Sequence, residues 1–184
     1  MANTITRSDA EADQEIRCSN GLFSVVISVL ALSGSRIART SDEKDFIIWL
    51  AEHDQSVLGS GTCGFTISEM PWSRDRMQLE KSFLDTTIEG AIRCLGWGML
   101  DYTPNVTMLE PALNQFRTLV NELQETEIDF AVGQLWREEQ EAERTLPGEY
   151  PVCSQHHVLL CWHGCVVCHE NAGILPADSD SNGR

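Results

Sequence analysis

Between Cys153 and Cys168 the chain gathers four of its seven cysteines and three of its five histidines. No other stretch limits the fold so tightly. Cys153-Ser-Gln-His156 and Cys165-Val-Val-Cys168 each set two ligand-type side chains three positions apart, with eight residues between the pairs. A two-residue spacer lets one tight backbone knuckle present both ligands to a single ion, and zinc takes four such ligands in a tetrahedron. The eight residues between suffice for a β-hairpin, with Val158 to Leu160 as one arm and His163-Gly164 near the turn. So short a segment cannot build its own core, and a bound ion would supply the missing folding energy. The expectation is one structural zinc held by Cys153, His156, Cys165 and Cys168. Four protein ligands leave no open position for water, which a catalytic zinc keeps.

This spacing resembles the knuckles of zinc ribbons and related zinc-binding hairpins. The resemblance covers about sixteen residues and implies a metal site, not an activity. It departs from the pattern at His157 and His169, where a glycine often follows the second ligand of a knuckle. Ligand choice within the cluster therefore stays open. His157, Cys161, His163 and His169 are surplus, either a second or exchangeable site or the surroundings of one structural ion. The stretch from Trp49 to Trp72 is also similar to uncharacterised bacterial helical proteins, a likeness that carries no residue roles.

The rest of the chain predicts a mainly α-helical domain of about five helices, residues 21–146, after a polar leader over residues 1–20. The zinc hairpin spans 150–170, and a disordered tail spans 176–184. Leu22, Val25, Val26, Val29 and Leu30 fit a helical stripe ended by Gly34, although the β-branched content fits a buried strand almost as well. Thr40 with Glu43 has the form of a capping box, opening a helix through Phe46, Ile47, Leu50 and Asp54 that stops near Gly59. Ser73 is placed to cap a helix whose inner face is Met77, Glu80, Leu84, Ile88, Ala91, Ile92 and Leu95, six of the seven apolar. Gly96-Trp-Gly98 breaks it. Val106, Leu109, Leu113, Phe116, Val120 and Leu123 keep helical spacing, with Pro111 tolerable only near a helix start. A last helix runs through Ile128, Val132, Leu135 and Trp136.

Charge sets the class of partner. Against 13 basic side chains stand 28 acidic ones, a net charge of -15, which argues against a phosphate-neutralising face for nucleic acid and against an anionic membrane surface as the partner. Met1 to Asn20 lacks the basic start and apolar stretch of a secretory signal. With unpaired cysteine numbers this predicts a reducing, cytoplasmic setting. Glu122 to Glu143 holds eight acidic residues and one arginine. Such a run is either a solvated helix face or a surface that steers a basic partner. The partner-binding candidates are Glu122, Glu125, Glu127, Asp129, Trp136, Glu138 and Glu139; Trp72 and Trp97, each beside a turn, are further interface candidates.

Other chemistry has weaker support. Cys63 with His53 and Asp54 could form a nucleophile, base and orienter, against which stands a small loop cysteine and a histidine at a helix end. Gly59-Ser-Gly-Thr-Cys-Gly64 lacks the Gly-Lys-Ser/Thr ending of a phosphate-binding loop. The reading is an acidic protein-binding module with a structural zinc, such as an inhibitor or immunity-type protein for a basic, nucleic-acid-handling partner. The alternatives are a metal-dependent enzyme using the Cys/His cluster and a scaffold subunit docking through the zinc hairpin.

Overall fold

The computed structural model describes residues 3–8, 15–54, 64–143 and 148–168. Five α-helices stand among them: α1 Asn20–Ile37, α2 Ser41–Glu52, α3 Met77–Ile92, α4 Val106–Glu122 and α5 Phe130–Glu143. Beside them lies a small sheet of β1 Asn3–Thr6, β2 Glu15–Cys18 and β3 Gly64–Thr66, ordered β2-β1-β3. The fold is mainly helical, as the periodicities predicted.

The 22–32 stretch is helix. Its β-branched residues lie inside α1, where Phe23 and the run from Val26 to Gly34 are buried. Ser19 caps the helix by accepting from the Leu22 N–H. By length and hydropathy alone α1 could cross a bilayer; here its apolar side chains pack against α2, α3 and α4. Gly34 lies against the Ile47 side chain of α2, in space that an added Cβ would overlap. The capping box at Thr40 is present, with Glu43 N–H donating to Thr40 Oγ1 and Thr40 N–H donating to the Glu43 carboxylate at 2.9 Å.

Within the stretch read as a polar leader, two strands join the core. Ile5 on β1 pairs with Ile16 on antiparallel β2 and with Phe65 on parallel β3, and all three are buried. A four-residue strand alternating with threonines gives almost no local signal; its stability comes from partners elsewhere in the chain. Arg7, just beyond β1, reaches across to Glu127 at 3.0 Å and Glu122 at 3.5 Å.

Several further expectations are corrected. Ser73 does not cap α3: residues 74–76 form a turn, the residue before α3 is Arg76, and no side chain caps there. Ser73 instead donates its N–H to Glu80 at 2.9 Å. The helix ends at Ile92, leaving Leu95 exposed, and Gly96 takes φ +86°. A 3-10 turn over Glu125–Glu127 separates α4 from α5. Val132 and Leu135 on α5 face outward. The buried side of α5 instead includes Gly133, where a Cβ would sit 2.9 Å from Pro71 Cα. Only a glycine admits that contact. Pro111 lies in the second turn of α4, on its exposed side, past the first-turn positions where proline costs nothing.

Trp72 is core, not interface: it is 1% exposed, meets Phe46 edge-on at 4.9 Å and donates its indole N–H to the Ile67 carbonyl. Trp97 packs half-buried against the same core.

Candidate metal centre

The hairpin after α5 is held to the helical body before any ion is considered. Leu159 donates its N–H to Ser35 Oγ at 3.0 Å, and Tyr150 donates its hydroxyl to Asp45 at 3.0 Å. Val158, Leu159 and Val166 are buried, and Leu32 of α1 shares an apolar cluster with Cys153, Val158 and Cys165. The expected hairpin arms reduce to two isolated bridges, Val152 with Leu159 and Cys161 with Gly164.

On this support Cys153, His156, Cys165 and Cys168 converge. Their ligand atoms all lie within 4.8 Å of one another. Cys153 Sγ is 3.7 Å from His156 Nδ1 and 3.6 Å from Cys168 Sγ; Cys165 Sγ is 3.6 Å from His156 Nδ1. His156 Nδ1 and Cys168 Sγ are closer, at 3.0 Å. Zinc–sulfur bonds of about 2.3 Å and zinc–nitrogen bonds of about 2.0 Å give tetrahedron edges of roughly 3.8 Å between sulfurs and roughly 3.5 Å from sulfur to nitrogen. Of the six separations such a set defines, three of the four just given match those edges, and the others stay within 4.8 Å. The group is positioned to hold a metal ion.

The knuckles are visible in the backbone. His156 N–H donates to Cys153 Sγ at 3.4 Å, and Cys168 N–H donates to Cys165 Sγ at 3.5 Å. Such donors favour the thiolate that metal binding requires. Burial raises the Cys153 thiol, but the N–H groups of His156 and Gln155 and the His156 and Cys165 side chains outweigh it and bring the thiol to about 6. Cys168 is pushed up to about 12 by burial and by the Cys165 and Cys153 sulfurs, and Cys165 is raised chiefly by burial. Three crowded thiols cannot all ionise on their own. A dication among them removes that conflict.

The surplus residues separate from the four. Cys161 Sγ donates to the Gly164 carbonyl, and burial pushes its thiol up to about 11, so it behaves as a small apolar side chain. His163 sits exposed on the Cys161–Gly164 turn. His157 is exposed and takes φ +54°, the left-handed conformation that explains the usual glycine after a knuckle. His157→Gly is therefore expected to raise stability by about 1 kcal/mol, read as an increased denaturation midpoint with metal content unchanged. A lower midpoint would mean that the imidazole makes a contact worth more than the strain. His169, the tail 176–184, Cys63 and most of the Gly59–Gly64 loop lie outside the described residues.

His53 does not have the character of a helix-end cation. It stacks on Trp49 at 3.7 Å with Nδ1 against the Trp49 carbonyl at 2.7 Å, and burial lowers its pKa. The bond to a carbonyl requires Nδ1 to carry the proton.

Part of the acidic run is used within the fold. Glu122 and Glu127 face Arg7, Glu127 also accepts from Ser8 Oγ at 2.9 Å, and Glu125 pairs with Arg74 at 2.9 Å. Asp129 accepts the Ala131 N–H at 3.0 Å and so caps α5. Glu138 takes the Gln134 amide at 2.8 Å, and the half-buried Trp136 donates its indole N–H to Glu52 at 3.1 Å. Glu139 is exposed and lines a groove with Trp136 and Trp162. The spacing reading missed Trp162, which is 65% exposed; its place on a turn between two cysteines was the available signal. No protein-family model matches this chain, and neither the curated proteins nor the solved structures contain a match.

Proposed function

We propose that this chain is a protein-binding module whose C-terminal hairpin is fixed by one structural zinc ion. The observation that carries this reading is the closed ligand set at Cys153, His156, Cys165 and Cys168, with separations near tetrahedral zinc edges. Three thiols and one imidazole suit zinc better than the harder cations that prefer oxygen. Four protein ligands fill the tetrahedron, which favours a structural ion over a water-activating one. The partner is a basic protein, because a charge of -15 attracts cationic surfaces and repels nucleic acid and anionic membranes. An inhibitor or immunity-type role toward a nucleic-acid-handling protein is one form of that partnership.

Cobalt substitution tests the metal part. One equivalent per chain should give the strong visible bands of a tetrahedral thiolate site, unchanged by added azide. A band shift with azide would reveal an open position and favour a metal-dependent enzyme. Capture at low and then raised salt tests the partner: a basic protein should be retained and then released by salt. Retention indifferent to salt would contradict electrostatic steering.

A further inference from the structure

The three sulfurs of the metal centre differ in access. Cys153 and Cys165 belong to the apolar cluster built on Leu32 and Val158. Cys168 is half-buried and lines, with Asp101, Gln155, His156 and Val167, a cleft of about 140 Å³ that opens to solvent. At about 30 Å³ for a water molecule, the cleft has room for a small polar molecule. Asp101 and Gln155 are both exposed, so the mouth of the cleft is polar. Cys153 Sγ stands 3.6 Å from Cys168 Sγ, although the two residues are fifteen positions apart and come from different knuckles. A bond between them would tie the same two turns that a shared ion ties. The other thiols are placed differently. Cys161 is buried with its Sγ on the Gly164 carbonyl, and Cys94 is exposed beyond the end of α3. A sulfur that ligates a metal is a thiolate, and the thiolate is also the form that attacks oxidants.

We propose that Cys168 is a site of oxidation by hydrogen peroxide, with Cys153 as the partner that closes a disulfide and frees the zinc. The Cys168 thiolate attacks one peroxide oxygen: an S–O bond forms, the O–O bond breaks and hydroxide leaves. The sulfur gives up two electrons and becomes a sulfenic acid. The Cys153 thiolate then attacks the Cys168 sulfur. An S–S bond forms, the S–O bond breaks and a second hydroxide leaves, to be neutralised by solvent protons. Two thiolates and one peroxide thus give one disulfide and two hydroxides. His156 and Cys165 remain as ligands, and two ligands hold zinc far less tightly than four. A small dithiol reverses the step by thiol–disulfide exchange and is itself oxidised to a disulfide. This proposal rests on the structural-zinc reading and names a regulation of that site. The ion that fixes the hairpin is kept under reducing conditions and surrendered to peroxide.

The test treats the full-length, zinc-loaded chain with a few-fold excess of hydrogen peroxide. Released zinc is followed with a coloured chelator too weak to strip the untreated protein. About one zinc per chain should appear, at least tenfold faster than without peroxide, and a dithiol with added zinc should restore the metal content. Chymotryptic cleavage at Trp162 separates Cys153 from Cys165 and Cys168. The two peptides should be joined by a Cys153–Cys168 bond, located by fragmentation, with Cys161 and Cys165 still free. Brief alkylation of the zinc-loaded chain should label Cys168 several-fold faster than Cys153 or Cys165. Cys94→Ser and Cys161→Ala should each release zinc within twofold of the wild-type rate. Any other disulfide in place of Cys153–Cys168, faster alkylation of Cys153 or Cys165, or release that depends on Cys94 or Cys161 would overturn the assignment. The two readings fail separately. If the chain held one zinc and peroxide neither released it nor formed a disulfide, the oxidation site would fall and the structural zinc would stand. If the chain took up neither zinc nor cobalt but peroxide still joined Cys153 to Cys168, the sulfur pair would stand and the zinc reading would fall.

Discussion

Cys165→Ser protein is expected to purify without zinc and to lose the order of residues 150–168 while the helical body stays folded. Cys165 is buried in the apolar cluster with Leu32 and Val158, and its sulfur is one corner of the four-ligand group. Serine supplies no soft ligand, and three remaining ligands hold zinc far less tightly. The hairpin's buried apolar residues, Val158, Leu159 and Val166, are each worth roughly 2 kcal/mol against exposure. Detachment should thus cost on the order of 5 kcal/mol, the part of the zinc's binding energy that appears as folding energy. Chelation of wild-type protein should give the same state, since Cys168 borders a shallow solvent-facing cleft and is only half-buried. The measurement is amide hydrogen exchange with and without chelator. Protection should vanish at the Leu159 and Leu160 amides and persist through α1. Cys161→Ala is the control, and it should keep zinc. Full zinc content in Cys165→Ser would mean that His157, His163 or His169 completes the site. Uptake at neutral pH should also release protons. The metal-free Cys153 thiol lies near 6 and is already ionised, whereas Cys165 and Cys168 are raised above 9 and still hold theirs. About two thiol protons should appear per zinc bound, and acidification should reverse the binding.

What could be read from sequence divides along contact range. The capping box at Thr40 and both metal knuckles are local, since each joins residues three apart and the spacing carries the geometry. Helix α1 was ambiguous for a physical reason: a fully buried segment has no polar face to set its period, and the packing around it decides. The strands β1 and β2 were invisible because Ile5 finds Phe65 sixty positions away, and no pattern within four residues encodes that. The acidic face shows the same limit of a local reading. Glu127 is held by Arg7 at a separation of 120 residues, so a run that looks like free surface charge is partly consumed by the fold. On α5 the apolar Val132 and Leu135 suggested an inner face, but the close approach at Gly133 against Pro71 turns the helix so that they face outward. One polar intruder was informative: Glu80, alone on the apolar face of α3, is 3% exposed, and a carboxylate there requires partners from elsewhere.

Removing the main cation in that network should be strongly damaging. Arg137 on α5 donates to Ser73 Oγ at 2.7 Å, to the Pro71 carbonyl and to Glu80 at 3.4 Å, and its Nε lies 3.6 Å from Asp45. It therefore ties α5 to α2, α3 and the loop before α3 through two carboxylates that are both nearly buried. Burial raises the Glu80 pKa, and the Ser73 N–H and Arg137 pull it back. Arg137→Ala leaves these carboxylates without the guanidinium between them, a loss of about 3–5 kcal/mol for a buried pair broken on one side. Arg137→Lys restores the charge but not the planar fork that serves several acceptors at once, so it should recover only part. The pH dependence separates this electrostatic cause from lost packing. With Arg137 gone, the folded-state pKa of Glu80 rises further above its unfolded value. The folded state then binds more protons than the unfolded one across that interval, and stability falls as pH rises through the folded pKa. The deficit of Arg137→Ala against wild type should therefore be smallest near pH 4 and largest above pH 7, as measured by urea unfolding of zinc-loaded protein in both regimes wherever zinc remains bound. A deficit that stayed constant with pH would assign the loss to the packing of the Arg137 stem against Pro71.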